Sequence, residues 1–480
     1  MIRVTLISLL VAFLCAYAWK DWYKSLCGLI VMMAIIEHPD IPKTIFGIPG
    51  FNFWNLLFVF VLAGWAMSRR REKLVWDMPK KITFLLILYG LIIVVGFFRM
   101  AIDSEGLSIW AASPWVSDDI SAKSLFNEYF INTFKWVVPS LLLFHGCRNR
   151  SRLAWAVSAI LIMYLLLSIQ VIRWMPLSAL TDGDALEHYG LRFLSKEVGY
   201  HRVNLSMMLS GAFWSFVTCS LLYSSKYQKI LKVSMPTIFF GLALTGGRMG
   251  YATWAAIGGV IAAVRWRRYL VLGPIFVLLV VLFVPAVQER FTAGFDEETV
   301  DESTLVEEHL EGGVFEMQLY TITSGRSFAW PFVWEEIKEN LLFGDGREAM
   351  VRSGVSTYLL SEFLESFPHP HNATLMWIFD NGLLGLLPVL TFYLLMLKYG
   401  FSLLRDKKEL VHVAIGGMAF SLISALLIAS IGSQSFYPRE GSVGMWCAIG
   451  LMLRVYVERE KNKKLHSPGQ NEIKSIWEKV

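Results

Sequence analysis

Residues 153–172 read LAWAVSAILIMYLLLSIQVI, twenty positions without a formal charge, directly after Arg148, Arg150 and Arg152. A helix rises about 1.5 Å per residue, so roughly 20 apolar residues cross the ~30 Å hydrocarbon core of a bilayer. This run is therefore read as a membrane helix with a basic end. Working outward, runs of the same kind lie at Val4–Ala18, Phe53–Met67, Ile82–Phe98, Tyr129–Phe144, Leu205–Tyr223, Ile230–Leu244 and Met249–Val264. Four more follow at Tyr269–Val287, Ala373–Leu397, Val411–Ile431 and Val443–Val457. The block Ser25–Ile36 is short and crosses only with tilt or help from its neighbours. The expectation is an all-α polytopic membrane protein of 12 spans, or 13 if that block crosses.

Composition agrees. The 480 residues are 55% hydrophobic and only 17% charged, below the roughly 25% of soluble domains, and the mean hydropathy is +0.50. Tryptophans cluster near the ends of the apolar runs, as interfacial belts require. A net charge of +5 says little, because the charges segregate by loop; nothing suggests a nucleic-acid partner. The five cysteines show no metal-ligand spacing and read as small packing residues. Arg3, the apolar run after it and Ala16-Tyr17-Ala18 loosely fit a signal peptide, but the many later spans favour a first membrane helix.

Lys and Arg in short loops set orientation. One alternating set is basic: Arg69–Arg71 with Lys73, Arg148–Arg152, Lys226 and Lys229, Arg265–Arg268, Arg405–Lys408, and the tail from Arg459 to Lys464. That set is expected in the cytoplasm of a bacterial inner membrane. The opposite set faces the periplasm and includes one long loop, Gln288–His371, too long for a plain connection. The chain divides into membrane helices over 1–287, a periplasmic subdomain over 288–371, membrane helices over 372–457 and a cytoplasmic tail over 458–480. Within the long loop, Asp296–Glu311 is acidic and reads as a solvated segment. The stretch from Trp330 to Gly344 suits a helix whose apolar face lies on the membrane surface. A second amphipathic helix is expected within Ser356–Phe367, through Tyr358, Leu359, Phe363 and Leu364.

Arginines on the outer side run against the orientation bias, so Arg192, Arg202, Arg248, Arg326 and Arg439 are informative. Arg248 stands in Thr245-Gly246-Gly247-Arg248, a very short turn between two spans. At membrane depth an Arg costs about 2.5–3.5 kcal/mol on insertion scales. Contact with lipid phosphate and a fixed anion site in a cavity both offset that cost. The planar guanidinium holds two phosphate oxygens at once, and several such groups stabilise charge on a leaving phosphate without a metal. His371-Asn372 opens the span after the long loop. Asn372 can cap that helix, and His371 either has a structural role or accepts a proton from a hydroxyl. His369 is the neighbouring alternative.

The run His371-Asn372-Ala373-Thr374-Leu375 with Asn381-Gly382-Leu383-Leu384-Gly385 resembles the signature of the O-antigen ligase and polymerase superfamily. Thr245-Gly246-Gly247-Arg248 is similar to its second motif, where Ser-Arg is commoner than Gly-Arg. Ser324-Gly325-Arg326 with Trp330, then Phe343-Gly344-Asp345-Gly346, resembles its outer-loop helix. Arg192, Arg202 and Asn204 loosely resemble an earlier motif. The resemblance covers about Arg192–Ile431 and implies a GT-C-like, metal-independent, inverting glycosyltransferase without cofactors. Its donor would be a glycan on undecaprenyl pyrophosphate. Its acceptor would be a lipid A core sugar, another lipid-linked glycan or a protein hydroxyl. Arg248 and Arg326 would hold the pyrophosphate with help from Arg192 or Arg202, and His371 would activate the acceptor. Asn372, His369 and Asn204 would support. Alternatives are a polysaccharide polymerase on the same donor, a flippase for lipid-linked sugar, and a structural envelope subunit. The acidic stretch would repel a second pyrophosphate and tilts the expectation towards a ligase.

Overall fold

The computed structural model describes residues 2–45, 47–48, 50–112, 121–292, 320, 323, 325–432 and 435–465. The acidic stretch Asp296–Glu311 and Ser324 lie outside them. Among the described residues the chain is helical, without strands. In chain order the longer helices are α1 (Ile2–Ala18), α2 (Trp22–Met32), α3 (Phe53–Arg71), α4 (Lys80–Ile102), α5 (Val138–Gly146), α6 (Arg150–Trp174), α7 (Arg202–Cys219) and α8 (Ser225–Leu244). Then come α9 (Arg248–Val264), α10 (Tyr269–Phe283), α11 (Arg326–Glu339), α12 (Val355–Phe363), α13 (Ala373–Leu404), α14 (Leu410–Ala429) and α15 (Val443–Leu465). Among the described residues, five helical segments are long and apolar enough to cross a membrane: Lys80–Ile102, Arg150–Trp174, Arg202–Leu222, Ala373–Leu404 and Leu410–Ala429. The other expected spans are helical but shorter, interrupted or more charged.

The helices run between a basic end and a far end. At the basic end Glu72 pairs with Arg152 at 2.7 Å and accepts the Trp22 indole N–H, while Asp77 binds Arg148, Arg454 and Lys461. Trp22 is thus at the basic end, whereas Met33 accepts a hydrogen bond from Tyr200 near the far-end start of α7. The block Ser25–Ile36 therefore does run from one end to the other, and Arg3 reaches Asp40 at the far end.

α7 and α14 form the centre, packed along their length, with α13 and α15 also against α14. Small residues permit this closeness, as lipid gives no hydrophobic drive for helices to associate. A Cβ on Gly416 would lie 2.6 Å from the Gly400 carbonyl of α13, and one on Gly211 would lie 2.9 Å from Leu422.

Two expected spans are broken. Tyr129–Phe144 divides into a wide-pitch turn at Phe126–Asn132, a short helix at Thr133–Lys135, and α5. Pro139 in the first turn of α5 lacks an N–H to continue a helix through Val137. α13 is broken at Gly382, whose φ of 65° and ψ of −177° are not helical. The outer-loop segment after α11 threads into that break. Leu383 and Leu384 donate to the carbonyls of Leu341 and Leu342 at 2.9 and 3.2 Å. In return Asp345 and Gly346 donate to Phe379 and Asp380 at 2.7 Å each. The backbone groups freed by the kink are thereby satisfied by another part of the chain. α11 also differs from expectation. Its buried residues Phe328, Ala329, Val333 and Ile337 pack on α13 and α12 rather than on the membrane surface, leaving Trp334 on its outer side.

Candidate active site

Three far-end helices begin with arginine: Arg202 opens α7, Arg248 opens α9 and Arg326 opens α11. None of the three has an acidic residue in its first turn. A cation at a helix N-terminus works against the dipole by about 0.3–1 kcal/mol. Here three such ends meet, so the arrangement is stabilised by whatever anion lies between them.

The turn before α9 is shaped by Gly246, at φ +63°, and its carbonyl accepts from Arg202 Nη1 at 3.4 Å. Gly247 and Gly250 lie against Ser206 of α7; a Cβ on Gly250 would stand 2.6 Å from the Ser206 Cβ. Arg202 is further fixed by Glu187. Gly325, at φ +79°, starts α11, and Thr323 Oγ1 accepts the Ser327 N–H at 3.1 Å. Gly432 is the meeting point: a Cβ there would lie 3.3 Å from both Arg326 Nη1 and Met249 Cγ. Among the described residues Arg326 has no ion-pair partner. Burial, then the charges of Arg202 and Arg248, push its guanidinium down to about 10.

A fourth helix N-terminus, that of α13, brings the histidines. Asn372 caps it, accepting from Thr374 and Leu375 at 2.9 and 3.2 Å, and Ala373 N–H bonds the Ser430 carbonyl at 2.8 Å. His371 just before it has φ +51°, a left-handed conformation that a side chain rarely adopts. Its N–H donates to His369 Nδ1 at 3.2 Å, and the two rings lie 4.1 Å apart. Trp330 of α11 donates to the Pro370 carbonyl at 2.9 Å, tying the turn to the arginine helix. Burial, Arg326 and His201 push the His371 imidazole down to about 4. Burial, His371, Arg439, Arg326 and Arg347 hold His369 well below the ordinary imidazole value too. Both rings are therefore neutral at physiological pH and able to accept a proton.

The structure thus brings together Arg202, Arg248, Arg326, His369, His371 and Asn372. It does not bring in Arg192, which stands exposed on the turn Gly190–Val198 and is not among the charges acting on His371 or Arg326. Asn204 sits one turn into α7 beside Gly441, at the rim.

Beneath the cluster is a buried network that the sequence alone did not point to. Arg347 is 4% exposed and lies 3.3 Å from the centroid of the Tyr437 ring. Tyr437 donates to Asp380 at 2.9 Å and accepts from Asn381 at 2.7 Å; Asp380 also accepts the Ala349 N–H at 3.1 Å. Arg347 follows directly on Phe343-Gly344-Asp345-Gly346, so its place after that motif was the available signal.

Residues 233–390 match the family model for O-antigen ligase. That match supports the O-antigen ligase-like superfamily and an enzyme of the ligase or polymerase type embedded in a membrane. The matched segment contains Arg248, Arg326, His369, His371 and Asn372, as well as the break at Gly382 and the segment that fills it; Arg192, Arg202 and Asn204 precede it. No curated protein matches the chain.

Proposed function

We propose, from the O-antigen ligase match over residues 233–390, that this chain transfers glycan from a polyprenyl pyrophosphate to an acceptor hydroxyl on the outer face of a bacterial inner membrane. The observation that carries the reading is the meeting of Arg202, Arg248 and Arg326, each at a helix N-terminus, with a neutral His371. Pyrophosphate is the anion that such a cluster suits: Arg248 and Arg326 bind its oxygens, with Arg202 behind them. The acceptor oxygen attacks the anomeric carbon as the bond to the pyrophosphate oxygen breaks, and the anomeric configuration inverts. The hydroxyl proton passes to His371, and the guanidinium groups take up the charge on the leaving group. Binding of the donor's negative charge raises the proton affinity of His371, which burial, Arg326 and His201 depress.

An apolar groove of about 690 Å³ beside α8 supports a lipid donor. It is lined by Leu180, Phe213, Met235, Phe239 and Ala243, and Ala243 stands five positions before Arg248. A prenyl tail in this groove would deliver its pyrophosphate to the turn at Gly246–Arg248. The acceptor class is read from deletion of the gene. Long glycan chains left on the lipid carrier indicate a ligase, which is the expected result. Single repeat units indicate a polymerase, and absence of any stranded lipid-linked glycan overturns the transferase reading.

A further inference from the structure

A second cavity, of about 360 Å³, lies towards the far end. Its wall includes Glu37, Trp54, Asn55, Glu128, Lys135 and Glu440. Two links join it to the cluster. Glu37 backs onto Gly199, two residues before His201, where a Cβ would collide with the Glu37 carbonyl. Glu440 follows Arg439, whose charge acts on both Glu440 and His369.

The chemistry of the wall is unlike that of the donor clamp. Glu37, Glu128 and Glu440 all act on Lys135, so acid and base are interleaved. Lys135 stacks 4.2 Å from the Trp136 ring centroid and 5.4 Å from that of Trp54. Trp54 is 1% exposed, yet its indole N–H has no acceptor among the described residues, and neither has Asn55 Oδ1 a donor. A buried polar atom without a partner costs about 1–3 kcal/mol, and both residues stand in the cavity wall. Carboxylates, amides and indole faces together accept from and donate to the vicinal hydroxyls of a sugar ring and cover its apolar face. Lys43, paired to Glu37 at 2.8 Å, and Lys135 leave the three glutamates with about one net negative charge, which does not favour a phosphate. The volume is at the low end for small-molecule sites, enough for a sugar unit or two but not for a long chain.

We propose that this cavity binds a neutral sugar unit of the acceptor and presents it to His371. The proposal rests on the transferase reading, but its first readout does not require turnover. Purified full-length protein in nanodiscs is examined by saturation-transfer NMR with glucose, galactose, mannose and N-acetylglucosamine. At least one sugar should receive saturation from the wild type and equally from Arg248→Ala. Glu128 is exposed and accepts from Asn132 at 2.7 Å, so the double variant Glu128→Gln, Asn132→Ala should fold. It should weaken sugar binding about tenfold, the loss of roughly one charged hydrogen bond. It should raise the acceptor KM by a similar factor without changing the donor KM. Saturation of none of the four sugars, an unaffected double variant, or a rise in the donor KM alone would each overturn the proposal. Sugar binding that persists in a protein without transfer activity would instead count against the transferase reading.

Discussion

Replacing Gly382 with alanine should undock the outer-loop segment from α13. Two costs add. At φ 65° and ψ −177° Gly382 occupies a region open essentially only to glycine, and placing another residue there costs about 1–3 kcal/mol. The new Cβ would also collide with the Leu342 carbonyl and Phe343 N. Relief requires Leu341–Phe343 to move outward, which breaks the 2.9 and 3.2 Å hydrogen bonds from Leu383 and Leu384. Each broken bond costs about 1 kcal/mol, and more if the groups stay buried. The expected total is about 4 kcal/mol, large beside the stability of a typical domain. A control is Gly259→Ala, where the Cβ meets nothing within 4 Å and no left-handed angle is needed; it should be neutral or slightly stabilising. The assay is thermal unfolding in detergent, with protease sensitivity of the segment Leu341–Arg347. Gly382→Ala should lower the midpoint by several degrees and expose the segment to cleavage. An unchanged midpoint with full protection would show that this backbone exchange does not hold the segment in place.

His371→Asn should retain the fold, since Asn tolerates the left-handed conformation at φ +51°, but should lower turnover about 10²- to 10⁴-fold as a base is lost; near-native turnover would remove His371 from the mechanism. Because His371 lies at about 4 in the free protein and must be neutral to act, kcat/KM should stay flat from neutrality down to about pH 5 and fall below it. Arg326→Gln should move that limb upward, and burial with His201 should keep it below the ordinary imidazole value; a limb unmoved by Arg326→Gln in a pH-rate series would break the coupling. Arg326→Lys and Arg248→Lys should each weaken donor capture, since an ammonium lacks the two-oxygen fork, with equilibrium binding of radiolabelled pyrophosphate as the check. A cysteine at Glu362, which is exposed on α12, should react with an impermeant maleimide once the outer membrane is opened, whereas one at Arg70 should not, and the reverse pattern would invert the orientation.

The location of nearly every helix was legible in the sequence because apolar runs bounded by basic loops have few other solutions in a bilayer. The interruptions were not. Tyr129–Phe144 has the hydropathy of a span, and hydropathy does not register that Pro139 begins a new helix or that Lys135 lines a polar cavity. Gly382 looks like a small packing residue in a run of apolar ones. Its backbone break depends on Leu341–Gly346, about forty positions earlier, and no periodicity within α13 carries that information. The face of α11 was misjudged for a related reason: amphipathicity says that one side is covered, not whether lipid or α13 covers it.

The candidate site divides along the same line. Arg248 and His371 stood out because each is a notable choice at its own position, a charge in a short turn between spans and a histidine directly before a capped helix, and Arg326 by its outer position and its motif. Arg192 was chosen by its outer position and a loose motif likeness, and it is the arginine that stands apart from the cluster. What the sequence could not express is that three unrelated arginines each occupy the first position of a helix. A single Arg there is a small electrostatic fault, easily offset by solvent or by a carboxylate such as Glu187. Convergence changes the sign of the argument, because each guanidinium and each helix end raises the potential felt by the others. Arg326 is lowered by Arg202 and Arg248, and it lowers His371 in turn. A cluster of mutually destabilised cations, half-buried and fixed by glycine turns, is ready for an anion before one binds. Burial and Arg326 hold His371 neutral and weakly basic, and an anion on Arg326 strengthens it as a base, so donor binding and base strength are coupled through Arg326.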